Sequence, residues 1–210
     1  MGVEERRERE REQRKKDILD AARKLLVEQG LQATSVNQIA KACELGIGTI
    51  YFYFKNKEEI FAALQEEGLD ILYGQVAAAG KKAGTLDGKL RAAAMAYLDF
   101  SRDCRDYFDV INYFITSPST FFPSALMMRI HSRGSSVLSL VESIVAEGTR
   151  QDLFLEPRPR RYAIFFWASL HGLITIRKMG KDTILENEDY QDFYGYSVEK
   201  LIRSILKTSS

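Results

Sequence analysis

Between Ser35 and Lys57 the chain reads SVNQIAKACELGIGTIYFYFKNK, and this stretch constrains the fold more tightly than any other. Ser35 and Gln38 make an S-x-x-Q capping box, in which each side chain satisfies a free backbone N–H at a helix start. A helix therefore begins at Val36, with Val36, Ile39 and Ala40 on one apolar face, and the run Cys43-Glu44-Leu45-Gly46 breaks the pattern after barely two turns. Gly46 opens a second helix whose first residues, Gly46-Ile47-Gly48-Thr49, are small where exposed helices usually carry long charged side chains. Unpaired N–H groups and a partial positive charge at such a tip suit a phosphate. Ile50 and Phe54, four residues apart, pack inward, while Thr49, Tyr51 and Tyr53 keep hydroxyls for the outside. Two helices joined by a short glycine-containing turn form the pattern of a helix-turn-helix reader of the DNA major groove.

The wider pattern is collinear without a gap: Ile18 and Ala22, Gly30, Thr34, Ile39-Ala40, Gly48-Thr49-Ile50-Tyr51, Tyr53-Phe54 and Lys57-Glu58-Glu59-Ile60. Over roughly a quarter of its length the chain thus resembles the amino-terminal domain of the tetracycline-repressor (TetR/AcrR) family of bacterial transcription regulators. The resemblance implies an all-α fold: a three-helix helix-turn-helix domain, then a larger helical ligand-binding and dimerisation domain, about nine helices altogether. It implies a ligand-responsive regulator, a repressor released from a palindromic operator by a small apolar or aromatic effector. Two residues depart from the family pattern, Cys43 where alanine is usual and Glu44 where the turn usually has glycine. Glu44 sets an acid near DNA and stands against an easy positive φ. A helical protein-interaction module with weakened DNA binding is therefore the alternative.

Charge distribution says more than the net charge of +1. Residues 1–57 hold 12 Lys and Arg against 9 Asp and Glu, so the basic excess lies with the reader, as phosphate contact requires. The division expected is a charged extension over 1–13, a DNA-binding domain over 14–60, and an effector-binding and dimerisation domain over 61–210. Glu4 to Lys16 is a charge run with Glu5/Arg9, Glu10/Arg14 and Glu12/Lys16 at helix-supporting spacing, a solvated helical extension or an arm that touches DNA. Ile18, Ala22, Leu25 and Leu26 make a scaffolding helix that ends at Gly30, with Leu31 as its closing hydrophobic contact.

For base edges and thymine methyls the candidates are Ile47, Gly48 and Thr49 behind the Gly46 tip, and for phosphates Tyr51, Tyr53, Lys55 and Lys57, with Ser35 at the first helix start. Asn37 falls at a position where the family contacts bases. Asn56 caps the next helix with Glu59 completing the box, and Lys57 sits in the first turn, where a cation is out of place unless an anion lies opposite. That helix is expected to reach about Ala79, followed by a loop over Gly80–Asp87 and a helix from Leu86.

Tyr97, Phe100, Tyr107, Phe108, Asn112, Tyr113 and His131 carry more aromatic mass with polar tips than a plain core requires. A ligand cavity explains them; so does packing with satisfied hydroxyls. The family's pocket lies among the corresponding helices, and with Trp167 and His171 these residues form the effector-site candidates. Arg160 to Met179 and Tyr190 to Lys207 read as two strongly apolar helices, the first apolar around nearly its whole circumference. One domain's core covers only one side, so a two-fold four-helix bundle is expected, as the family dimerises through its last two helices. Trp167, Leu170, Ile174, Phe193, Tyr194, Val198, Leu201 and Ile205 are its candidate residues.

An enzyme is not expected: there are two histidines, no G-x-S-x-G elbow and no H-E-x-x-H. No catalytic residue, metal ligand or cofactor is assigned. Cys43 and Cys104 fall in different domains without metal or redox spacing, so both should be reduced thiols. No apolar run approaches a membrane span and the first residues are charged, which predicts a cytoplasmic protein.

Overall fold

The computed structural model describes residues 2–116, 122–177 and 189–207. Nine helices occur among them: α1 (Val3–Ala33), α2 (Val36–Ala42), α3 (Ile47–Tyr53), α4 (Lys57–Lys82), α5 (Leu86–Asp103), α6 (Arg105–Thr116), α7 (Ser124–Arg150), α8 (Pro159–Arg177) and α9 (Tyr190–Arg203). The all-α class holds. The chain forms two compact units, Met1–Leu69 with Cys104–Ser132, and Asp70–Asp103 with Arg133–Ser210. Compactness thus groups α6 and the start of α7 with the reader, and both α4 and α7 run through the boundary.

In the first unit α1 is exposed over its first four turns and buries Ile18, Ala22 and Leu26 farther on. Gly30 adopts φ +79°, a conformation that side-chain-bearing residues resist, and it ends the regular helix as its sequence position implies. Leu31 is buried directly after it, and Thr34, wholly buried, donates its hydroxyl to the Gly30 carbonyl at 2.8 Å. Ile39, Ala40, Ile50, Phe54, Ile60, Phe61 and Leu64 complete the core under the helix-turn-helix. Gly68 lets α4 and α6 approach closely; a Cβ there would lie 3.2 Å from both Tyr107 and Ile111 side chains.

The second unit packs α5, α8 and α9 around Leu90, Ala94, Phe100, Phe166, Leu170, Tyr194, Val198 and Ile202. The buried Tyr194 hydroxyl donates to the Ala94 carbonyl at 2.9 Å, and Arg91 grips Glu199 through two hydrogen bonds of 2.5 and 3.1 Å. Phe154 folds onto Gly148 so closely that a Cβ there would sit 2.1 Å from the ring.

Several element boundaries differ from expectation. Helix α4 continues through Gly80 to Lys82, because helical hydrogen bonding tolerates a glycine that packs against nothing. Ser124, which the sequence offers as a cap, is the first residue of α7, and the Pro123 carbonyl before it accepts from Leu126 and Met127. The last helix ends at Arg203 and not at Lys207: Leu155 donates to Ile205 and Lys207 to Leu153, so these residues pair in a short antiparallel bridge instead. Ser117-Pro118 with Phe121 reads as loop by composition; these residues and the expected helix end at Met179 lie outside the described residues.

Candidate nucleic-acid interface

The capping box forms as read. Gln38 N donates to Ser35 Oγ at 3.3 Å and Ser35 N donates to Gln38 Oε1 at 2.8 Å, leaving Asn37 exposed beside the cap. Helix α2 then stops in a Schellman arrangement, with Leu45 N donating to Ala40 O at 2.9 Å and Glu44 N to Lys41 O at 3.2 Å. That geometry requires positive φ at Glu44, which adopts 56°. The expected obstacle is therefore met rather than avoided: a glutamate occupies a glycine conformation at a cost of about 1 kcal/mol.

Helix α3 is pinned by its buried side, Ile50 and Phe54, and opens toward solvent on the other. Gly46, Ile47, Gly48, Tyr51 and Lys55 are exposed; Thr49 and Tyr53 are half-buried. A Cβ added at Gly48 would meet nothing within 4 Å. The protein's own packing thus gives no reason for glycine there, although alanine would stabilise a helix by roughly 0.5–1 kcal/mol. Phe52, which has no polar group to mark it among the interface candidates, is the most exposed large hydrophobic residue described, at 74 %, ahead of Tyr51 at 52 % and Ile47 at 43 %. Its position four residues after Gly48 was the available signal, since i and i+4 share a helix face.

Lys57 has a partner within the protein. Its ammonium donates to the Leu31 carbonyl at 2.6 Å, near the end of α1, and lies 5.6 Å from the Phe61 ring centre. Burial draws its pKa below the usual lysine value. The carbonyl end of α1 thus answers the cation at the start of α4, and two of its three N–H donors remain for other acceptors. Asn56 caps Glu59 N as expected, at 2.8 Å, but Glu59 reaches back one residue farther than a capping box, to Lys55 N at 2.7 Å.

The nine effector-site candidates do not all meet within one unit. Tyr97, Phe100, Trp167 and His171 belong to the second: the Tyr97 hydroxyl lies 2.8 Å from His171 Nδ1, and the Tyr97 ring stands edge-on to Trp167 at 5.1 Å. Trp167 Nε1 is buried there without a hydrogen-bond partner among the described residues. Tyr107, Phe108, Asn112, Tyr113 and His131 belong to the first unit. Tyr107 lies under the Arg23 guanidinium, 4.4 Å from its ring centre, and burial together with Glu67 raises its phenol pKa; His131 is exposed.

Five residues expected at a dimer interface are interior instead. Leu170, Ile174, Tyr194 and Val198 are buried within the protomer, where α5 packs on α8 and α9, and Ile205 is buried past the end of α9, where Leu155 N donates to its carbonyl. Trp167, Phe193 and Leu201 are half-buried. The open side of the pair is a groove of about 580 Å³ between α8 and α9, with Phe165, Ala168, Ser169, Gly172 and Ile176 on one wall and Tyr196, Ser197 and Lys200 on the other.

A helix-turn-helix with a glycine-lightened outward helix, followed by a second helical unit, defines the class of a one-component transcription regulator. Residues 18–64 match the model of bacterial regulatory proteins of the tetR family, and residues 90–200, more than half of the chain, match the tetracyclin repressor-like C-terminal domain. The chain belongs to the tetracycline-repressor family, whose members are transcription regulators and not enzymes. It is 52% identical over 48 residues to the HTH-type regulator YhgD of Bacillus subtilis, 23% of this chain and 25% of that protein. Matches of this kind span only about a quarter of the curated relatives. Over nearly the whole chain the fold is similar to that of FadR from Bacillus subtilis, solved with stearoyl-CoA (TM-score 0.74, 22% identity, 89% of this chain and 96% of that one). It is also similar to AibR, solved with isovaleryl coenzyme A and operator DNA (TM-score 0.70, 21% identity, 90% and 98%). Among the described residues no helix is long and apolar enough to cross a membrane.

Proposed function

We propose that this protein is a homodimeric, ligand-responsive repressor that reads a roughly palindromic DNA operator through α3. The observation that carries the reading is Gly48: an exposed helix gives up stability at a position where only an external surface benefits from missing side-chain atoms. Ile47, Gly48, Thr49 and Phe52 meet base edges and thymine methyls, with Asn37 reading an adenine. Gly46 N–H, Ser35, Tyr51, Tyr53, Lys55 and Lys57 take phosphates, Lys57 with the donors that the Leu31 carbonyl leaves unused. Two copies joined through the α8–α9 groove place two readers on half-sites about 34–36 Å apart.

The effector is a small apolar or aromatic molecule, and the acyl-CoA ligands of FadR and AibR support an acyl group as its apolar part. Tyr97, His171 and the unpartnered Trp167 Nε1 supply polar contacts. Because α4 runs from the reader into the second unit, an effector that shifts α4 changes operator affinity roughly 5- to 150-fold, a coupling of about 1–3 kcal/mol. The test is binding of the purified dimer to the duplex upstream of its own gene, with and without acyl-CoAs of graded chain length. Binding that one chain length releases supports the reading. A ligand that binds without changing DNA affinity removes the switch, and failure to bind any duplex leaves the interaction-module alternative.

A further inference from the structure

Four turns of helix precede the reader's scaffold, and the three-helix domain does not use them. Helix α1 is regular from Val3 to Gln29, so its faces can be followed without a break. At 3.6 residues per turn, Arg7, Arg11 and Arg14 fall within an arc of about 60°, spread over about 10 Å of axis. The same arc carries Ile18, wholly buried in the helix-turn-helix core, and Leu25, packed against it. The arginines therefore lie on the side of α1 that faces α2 and the turn after it, carried outward past the point where that core ends.

Tertiary contacts agree with the periodicity. Cys43, at the turn between α2 and α3, donates its thiol to Asp17 O at 3.6 Å. Burial raises that thiol's pKa, Asp17 adds to the rise and Arg14 opposes it, so Arg14 stands next to the turn. From there the row runs outward through Arg11 to Arg7. Arg6 is engaged by Glu10 and Lys15 by Glu12, and Arg14 stands at 3.9 Å from Asp17, whereas Arg7 and Arg11 are exposed and form no ion pair among the described residues. Arg9 and Lys16 also form no ion pair among the described residues, but at 3.6 residues per turn they fall on the opposite side of the helix, so Arg7 and Arg11 are the exposed cations that project on the reader's side, where flanking phosphates run.

We propose that the amino-terminal extension is a second DNA-binding element, in which Arg7 and Arg11, continued by Arg14, contact backbone phosphates of the duplex beside the half-site read by α3. This inference rests on the DNA-reading function proposed above. It assigns the extension affinity without sequence preference, because phosphate contacts position a protein and carry no base information. Glu4 and Glu8 border the row and weaken it.

The test is fluorescence anisotropy of full-length dimer on the upstream duplex and on an unrelated duplex, over a series of salt concentrations. The variants are Arg7→Ala/Arg11→Ala, Arg7→Lys/Arg11→Lys and Glu8→Gln, with helicity checked by circular dichroism. The alanine pair should weaken both duplexes at least tenfold at about 0.1 M salt, and flatten the slope of log affinity against log salt by about 1.8 per protomer, two phosphates at 0.9 each. The lysine pair should retain the slope, and Glu8→Gln should tighten binding. An alanine pair with the parent's affinity and slope overturns the inference while leaving the regulator reading intact. A parent protein that binds no duplex overturns both.

Discussion

Helix α3 of the first unit and helix α8 of the second both leave apolar side chains in water beside glycine, yet their surroundings differ. On α3, Ile47, Tyr51 and Phe52 stand around Gly48, with Asn37, Lys41 and Lys55 exposed nearby in sequence. On α8, Ile164 and Phe165 are about half exposed beside a wall of Ala168, Gly172 and Ile176, and the opposite wall adds Tyr196. The first surface mixes hydroxyls, amides and cations with its apolar atoms, which suits a polyanion with methyl-bearing bases. The second is a mainly apolar groove, which suits a like surface of a second copy. Exposed hydrophobicity alone does not separate the two occupants; the polar groups around it do.

The comparison can be broken most forcefully at α8. Leu170→Ala should cost about 2–5 kcal/mol in urea unfolding, because Leu170 is core and not interface. If it weakened dimerisation without loss of protomer stability, the assignment of inner and outer faces would be reversed. Phe165→Glu should leave the protomer folded and weaken dimerisation by about 3 kcal/mol, since the interface would bury an unpaired charge; sedimentation velocity should then show monomers, and operator binding should fall with it. On α3 the signs of stability and function should part: Gly48→Ala should stabilise by about 0.5–1 kcal/mol and weaken operator binding, read by thermal unfolding and anisotropy on one preparation. A variant improved in both would remove the argument for close approach at Gly48.

Two smaller effects sharpen the contrast. Glu44→Gly relieves the positive φ and removes an acid from the reader, so stability should rise by no more than about 1 kcal/mol. Operator affinity should rise several-fold at low salt, with the gain fading as salt screens the charge. The smallest effect is at the pair that ties α9 to α5: hydrogen bonding to Arg91 holds the Glu199 carboxyl below its usual range. A carboxyl depressed in the folded state contributes stability above its unfolded pKa and loses it as pH falls through the folded one. Arg91→Met should therefore lie under about 1 kcal/mol below the parent at neutral pH, the pair being partly exposed, and converge with it in acid.

The reader was legible because its determinants are local. The Ser35–Gln38 box, the break after Ala42 and the inward Ile50–Phe54 pair each depend on residues within four positions. Phe52 escaped because the hydroxyl-bearing tyrosines on either side drew the assignment, although only one of them proved exposed. In α8 the apolar circumference implied burial on most sides, but within the protomer only the stripe through Tyr162, Phe166, Leu170 and Ile174 is buried, while Ile164 and Phe165 stay about half exposed, and periodicity cannot say which neighbour does the burying. Leu170, Tyr194 and Val198 are covered by their own chain. Gly148 gives no sequence signal that it seats the Phe154 ring six residues on, a contact made once the chain turns back after α7 with Leu153 N and Phe154 N donating to the Gly148 carbonyl.

By itself the order of residues determined the helical class, the start of α2 at the Ser35–Gln38 box and its stop after Ala42, the end of regular helix at Gly30, and the bare-backbone tip, since capping, periodicity and glycine conformation act over one or two turns. The tertiary structure alone decided which apolar faces turn inward and that Lys57 answers the end of α1. Those outcomes depend on groups far apart along the chain, whose meeting is set by packing and not by any short-range preference.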